Sequence, residues 1–368
     1  LQMSNFAFNV KSEPPGPSGT PVAFTCAIAE TAVGDKPPVP GLSIRGVLDG
    51  LVASDGSFNP EYATLSTQGE LPNVNTALID AVSTRDGTLV DALGPTTQAK
   101  FNIERYPFSG QPRPGTAPPV IDFQARSQRV SASLRGTIRD KMYIGEQPLK
   151  ADVTEVTREM SARIIKILPL LGEFEKRPTD APAKLDITSI TASLDNDLSK
   201  LNADVVFTPG EASFATSGFF NEVLKVVQAR ESGRLGRRLQ PFHATVRSGV
   251  VTYPRWTLPL GEFDVVTEGT VDLVNRRVDV ITYVPFGALT DNAVGRLNLG
   301  AGSAVTRLLP GAITALTEVP FRTRGPMDNP TTALDPELLA KNVVKKVNPE
   351  NIIKDTLGDL LKPKNQPK

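Results

Sequence analysis

The chain has 368 residues, with 40 Lys and Arg against 40 Asp and Glu, so its formal net charge is +0. That length builds one large or two ordinary domains, and the charge balance argues against a nucleic-acid partner, which ordinarily meets a basic excess. The single cysteine, Cys26, excludes an intrachain disulfide framework and a multi-cysteine metal site. The sequence opens on Leu1 with no signal-peptide pattern behind it, and no stretch approaches the ~20 apolar residues that span a bilayer. It therefore reads as a fragment of a longer protein.

In chain order, three Pro/Gly-rich stretches at 13–21, 36–41 and 106–119 read as loops. "VAFTCAIAE" (22–30) alternates as a strand does. "NTALIDAVSTRDGTLVDALG" (75–94) reads as helical with a break near Gly87. "VIDFQARSQRVSASLRGTIRDKMYI" (120–144) reads as a meander. Residues 155–172 carry Val156, Met160, Ile164, Ile167, Leu168 and Leu171 at helical spacing. Residues 185–194 and 201–209 read as strands again, and 219–230 as a helix. Residues 242–285 form the clearest meander, and 303–317 read as an apolar helix kinked at Pro310. In 335–362 two amphipathic helices are predicted, with Asp335 and Asn348 as N-caps, each followed by proline. The pattern predicts a β-rich α+β fold: a long, curved antiparallel sheet, groove or taco-like, with interleaved amphipathic helices and a C-terminal helix pair. The expected division is 1–240, a meander with inserted helices, and 241–368, with the sheet continuing through both.

The search for chemistry is mostly negative. His243 is the only histidine, sits at an alternating strand position and has no acidic neighbour in sequence, so neither a catalytic triad nor a histidine metal site has its parts. Asp195, Asp197 and Asp204 begin like a calcium loop but lack its Gly and Glu, which makes a solvated turn the better reading. "GRLNLGAG" (295–302) is glycine-rich yet lacks the phosphate-loop Lys-Ser/Thr. Arg234, Arg237 and Arg238 are headgroup-contact candidates, with a solvated loop as the plainer reading. No enzyme, metal or cofactor is expected. The C-terminal segment 335–362 is either a contact for a membrane surface or envelope protein, or an amphipathic cap on the sheet.

The stretch "GTVDLVNRRVDVITYVP" (269–285) reads as a hairpin turning at Asn275-Arg276. It pairs Leu273 with Val278 and Val271 with Val280 on one greasy face, and sets Asp272 against Asp279 on the other. Together with "FHATVRSGVVTYPRWTLPLGEFDV" (242–265) and "VPFRTRGPMDNPTTALDPELLAKNVVKKV" (319–347), where Gly325 and Pro330 hold a turn, it resembles the C-terminal region of the AsmA-like family of bacterial envelope proteins. The resemblance covers residues 240–350; the first two thirds share only its style, and their inserted helices depart from it. It implies kinship with bridge-like lipid transfer proteins: a hydrophobic β-groove that takes phospholipid or glycolipid acyl chains in the periplasm, part of a longer membrane-anchored protein supporting the outer membrane. On that basis Val271, Leu273, Val278, Val280 and Val284 would line the groove. An aspartate at Val271 or Val280 would then abolish lipid binding and leave the fold intact. Two alternatives stand beside it: a non-catalytic structural or membrane-protein assembly module whose core is filled by its own side chains, and, less favoured, an enzyme acting on envelope polysaccharide.

Overall fold

Strand-forming alternation governs this chain, and the computed structural model describes residues 2–14, 19–32, 39–83, 87–108, 116–165, 173–215, 235–260, 263–286 and 318–346. Strand dominates them and forms a long antiparallel sheet. Among the described residues α-helix is confined to Thr76–Ser83, Thr88–Leu93, Arg158–Ile165 and Pro336–Lys346. The helices expected at 219–230, 303–317 and 348–362 lie outside the described residues. The chain divides into two compact units, one of Leu1–Ala215, Arg234–Pro254 and Val271–Arg276, the other of Thr216–Gly233, Arg255–Thr270 and Arg277–Lys368.

In the first unit each strand pairs antiparallel with the next. The order runs Gln2–Ser12, Thr20–Ala32, Ser43–Val52, Thr64–Asn75, Thr96–Pro107, Val120–Ser127 and Val130–Arg139. Val130–Arg139 then pairs with Leu149–Val153 over one half and Met142–Gly145 over the other, and both pair with Ala183–Ser193. Asn202–Thr208, Phe242–Arg247 and the start of Val250–Leu260 complete the ladder.

Because side chains alternate between faces, one inserted residue would flip everything after it, and β-bulges absorb such insertions. Arg105, at φ 56°, is the extra residue between Ile103 and Tyr106, and its N–H donates to Ser66 Oγ at 3.1 Å. Ser189, at φ 53°, does the same between Ile187 and Ile190. In both strands the apolar residue beyond the bulge returns to the face of those before it.

The helices of this unit gather at one end of the strands. Thr76–Ser83 continues directly from Asn75, and Gly87, at φ 80°, makes the break expected before Thr88–Leu93. Val156 and Met160 pack with Ala212 and Leu239 against Val130, Val153 and Phe207. Arg129 ties the group together, donating from Nη1 to Asp91 O at 2.8 Å and pairing through Nε with Glu155 at 2.9 Å. Lys176 is buried there with its ammonium on Glu211 O at 2.6 Å and Pro209 O at 3.3 Å, and burial pushes its pKa down. A small sheet of Glu173–Glu175, Gly210–Ala215 and Leu235–Leu239 belongs to the same unit.

In the second unit Arg277–Pro285 pairs along its whole length with Glu318–Pro326, which also pairs with Thr331–Leu334. Asp335 caps the following helix as predicted, its carboxylate accepting from Leu338 N at 3.0 Å.

Candidate functional site

The pairing registers of the first unit assign every strand residue to a face, and one face is apolar from edge to edge. Phe6, Phe8 and Val10 stand opposite Ile28, Cys26 and Phe24. Phe24 faces Gly46, and Gly69 faces Phe101, which faces Phe123 and then Leu134. The next row runs Leu71, Ala99, Ala125, Ala132 and Ala151, and continues through Leu185, Phe207 and Phe242. The aromatic rings lie flat over the glycines. A Cβ on Gly46 would stand 2.6 Å from Phe24 Cζ, and one on Gly69 would run into the Phe101 ring. Aromatic cover of a neighbouring strand's glycine keeps the face smooth and shields the bare backbone.

The opposite face is polar over the same strands. Its row runs Glu70, Lys100, Gln124, Ser133, Lys150 and Asp186, with opposite charges placed cross-strand. Lys100 and Glu70 are 2.8 Å apart and largely exposed. A shallow cavity of about 490 Å³ lies against Arg45, Gln68, Lys100 and Asp122. It is the polar face's own relief, with too few apolar side chains to hold a hydrocarbon.

Burial along the apolar face rises unevenly from the edge strand, and Ile28 and Ala99 are already buried. Phe6, Phe8 and Val10, on the edge strand, are 63%, 57% and 57% exposed. Ile44, Leu65, Phe101, Ile103, Phe123, Leu134, Leu185 and Val205 are half-buried. Phe242, Ala244, Val246, Val251 and Tyr253 are buried, with the Phe242 and Tyr253 rings 5.4 Å apart. A face covered by a packed second layer would be buried throughout, so the half-buried positions and the Phe6–Val10 edge of this one retain access to solvent.

Comparison with protein-family models, with curated proteins and with solved structures finds no match.

The residues singled out in the sequence lie elsewhere. Val271, Val278, Val280 and Val284 are strand residues, all buried, with Val280 at 0% exposure. Leu273 is not a strand residue, because the turn is longer than the two residues expected and occupies Leu273–Arg276. Asp272 builds that turn by accepting from Asn275 N and Nδ2, both at 2.8 Å, and Arg276 takes φ 51°. Asp279 is held in a different way. Its carboxylate receives Arg322 Nε and Nη2 at 2.7 Å each and Arg324 Nε at 3.2 Å, which holds its pKa below the usual carboxylate range. Asp272 and Asp279 thus have separate partners, the turn's own Asn275 for one and an arginine pair for the other.

Arg237 and Arg238 are not in a loop. They lie in the strand Leu235–Leu239, backbone-paired to Ala212 and Glu211, and the Arg238 side chain is exposed. Arg234, the glycine-rich 295–302 and the part of 335–362 beyond Lys346 lie outside the described residues. His243 is exposed on the polar face opposite Val206. Asp195 pairs with Lys141 at 3.5 Å, Asp197 accepts from Ser199 N at 3.0 Å, and Asp204 pairs with Arg247 at 2.6 Å, so each acid serves a turn or a cross-strand bridge. Among the described residues no group of three or more His, Cys, Asp or Glu is placed to hold a metal ion, and no helix is long and apolar enough to cross a membrane.

Sequence reasoning saw the alternation in 22–30 and 120–144 but did not connect it into one face. The signal was available in the glycines. Gly46 and Gly69 sit at apolar positions of strands whose neighbours carry Phe24 and Phe101 at matching positions.

Proposed function

We propose that this chain binds phospholipid or glycolipid through the apolar face of its first unit, and that it passes such lipids along a β-groove within the bacterial cell envelope. The observation that carries this reading is the unbroken apolar face running from Phe6 to Phe242, half-buried through its middle. Acyl chains laid on it replace water at ~0.8 kcal/mol per buried CH₂ while the headgroup remains in solvent. The chemistry is passive and needs no nucleophile, acid or metal. The resemblance of residues 240–350 to AsmA-like proteins supports a periplasmic setting within a longer, membrane-anchored protein.

A second reading, the self-filled structural or assembly module, is favoured in the second unit. Val265, Val280, Val284 and Phe321 are all at 0% exposure, which is the burial of an ordinary core.

Mass spectrometry of an organic extract of the natively purified protein, beside a sham purification, tests the first reading. Near-stoichiometric phospholipid or glycolipid is expected. The variants Ile103→Asp and Leu134→Asp, on the half-buried face, should keep the wild-type melting transition and lose the lipid. A clean wild-type extract, together with no binding of a fluorescent phosphatidylcholine, sinks the lipid reading in favour of the structural one.

A further inference from the structure

The two ends of the strands in the first unit differ. At one end the helices and the Val156–Met160 cluster cover Val130, Val153 and Phe207. At the other end the connecting turns carry large apolar side chains outward. Phe58 and Tyr62 lie between Ser43–Val52 and Thr64–Asn75, and Phe108 follows Pro107. Leu194 and Leu198 join Ala183–Ser193 to Asn202–Thr208, and Val274 lies in the turn after Asp272. Phe58 is 71% and Phe108 61% exposed, and the other four are between 44% and 48%.

Backbone bonds join these turns into rims. Phe108 N donates to Ala63 O at 2.8 Å, Leu194 N to Lys141 O at 2.9 Å, Gly249 N to Leu201 O and Leu273 N to Gly249 O, both at 3.0 Å. Antiparallel order puts all of them at the same strand ends, opposite the end that the helices cover.

We propose that this rim docks on a lipid bilayer, its apolar tips entering the interfacial zone and holding the helix-free end of the apolar face against the membrane. The proposal rests on the lipid-binding reading and names the surface from which lipid reaches the face. Two features favour a bilayer over a protein partner. The tips occupy separate turns spread over roughly 40 Å of rim at strand spacing, so they form no single compact patch of the kind a protein interface buries; a deformable bilayer accepts them one by one. Lys141 and Lys200 among them are paired with Asp195 and Asp197, each at 3.5 Å, and Asp55 in the Phe58 turn adds an exposed carboxylate held by Ser57, so the rim offers no basic patch to an anionic partner. Docking is therefore driven by apolar insertion and is insensitive to salt.

The test is flotation of the full chain with vesicles of phosphatidylcholine alone, at about 0.1 M and about 0.5 M salt. Wild type should float equally at both. The variant Phe58→Ser/Phe108→Ser/Leu194→Ser should lose at least ~10-fold in vesicle partitioning, and Phe58→Ser alone should lose less. All three changed side chains are exposed, and circular dichroism checks the fold of each variant. Both proteins are also titrated with fluorescent phosphatidylcholine below its vesicle-forming concentration, which reads the apolar face without the rim. Wild type that fails to float, flotation abolished by the higher salt, or a triple variant that floats like wild type overturns the proposal. Loss of flotation with retained binding of the fluorescent lipid establishes the rim. Failure of that lipid to bind either protein, with flotation intact, sinks the face reading and leaves the rim standing.

Discussion

The face built from residues 20–207 and the face built from Val265 to Phe321 are written in the same two-residue alternation, yet one is half-open and the other closed. Side-chain shape is part of the difference, although Ile44, Ile103 and Val205 on the half-open face are β-branched too. The closed strands use β-branched residues, with Val265, Val271, Val278, Val280, Val284 and Val319 all buried. Such side chains are stiff and fill a pleated interior well. The half-open strands use rings over glycines and a run of alanines, which gives a smooth surface at little height. Periodicity determines which face a residue takes, while the choice among apolar residues tells whether that face was shaped to be packed.

The comparison breaks most sharply at Val280. Placing an aspartate at this fully buried position should cost more than ~4 kcal/mol and unfold the second unit, because the charge has no partner there. The only tryptophan, Trp256, is itself buried in that unit, so its emission reports the loss directly. This reverses the expectation drawn from sequence, in which an aspartate at Val280 left a folded protein without lipid. An Ile103→Asp variant that also unfolds would erase the distinction between the two faces.

Next in size is a pair of glycines. Gly269 has φ 154°, and a Cβ there would stand 2.7 Å from Val280 Cα, so Gly269→Ala must move backbone and should cost ~2–4 kcal/mol. Gly69→Ala meets first the Phe101 ring, a half-buried side chain rather than backbone, and should cost ~1 kcal/mol. Equal losses in chemical denaturation would mean that the Phe101 ring is as tightly held as a core residue.

The smallest effect concerns Asp279. Its pKa is lowered, chiefly by the hydrogen bonds from Arg322. The stability it contributes is therefore present above the unfolded carboxylate pKa of about 3.9 and is lost as pH falls through the lower folded value. Partial exposure limits the pair to ~1 kcal/mol. Asp279→Asn should lower the melting temperature at neutral pH and flatten its fall in acid; an unchanged acid limb would assign the acid sensitivity to other groups.

Much of the architecture was legible in the residues. Both meanders, the break at Gly87 and the Asp335 cap followed expectation, because each rests on a local steric or hydrogen-bonding rule. The strand containing Arg237 and Arg238 was hidden by its charges, since Leu235–Leu239 takes its place through pairing with Gly210–Ala215, a partner more than twenty residues away. An apolar strand face was expected, and the half-open one lies outside the hairpin that drew the expectation. The conspicuous Val-rich hairpin drew attention to itself, whereas the half-open face is spread over many strands whose registers depend on bulges at Arg105 and Ser189 that no local pattern announces.

The alanine row has one further consequence. Ala125, Ala132 and Ala151 present the same methyl on successive strands, so a hydrocarbon lying across them meets an identical surface about every 4.8 Å. A repeat that even offers no position much deeper than the next. On the proposed lipid reading, friction against sliding would then be low, and an acyl chain held away from water would still be free to creep along the sheet.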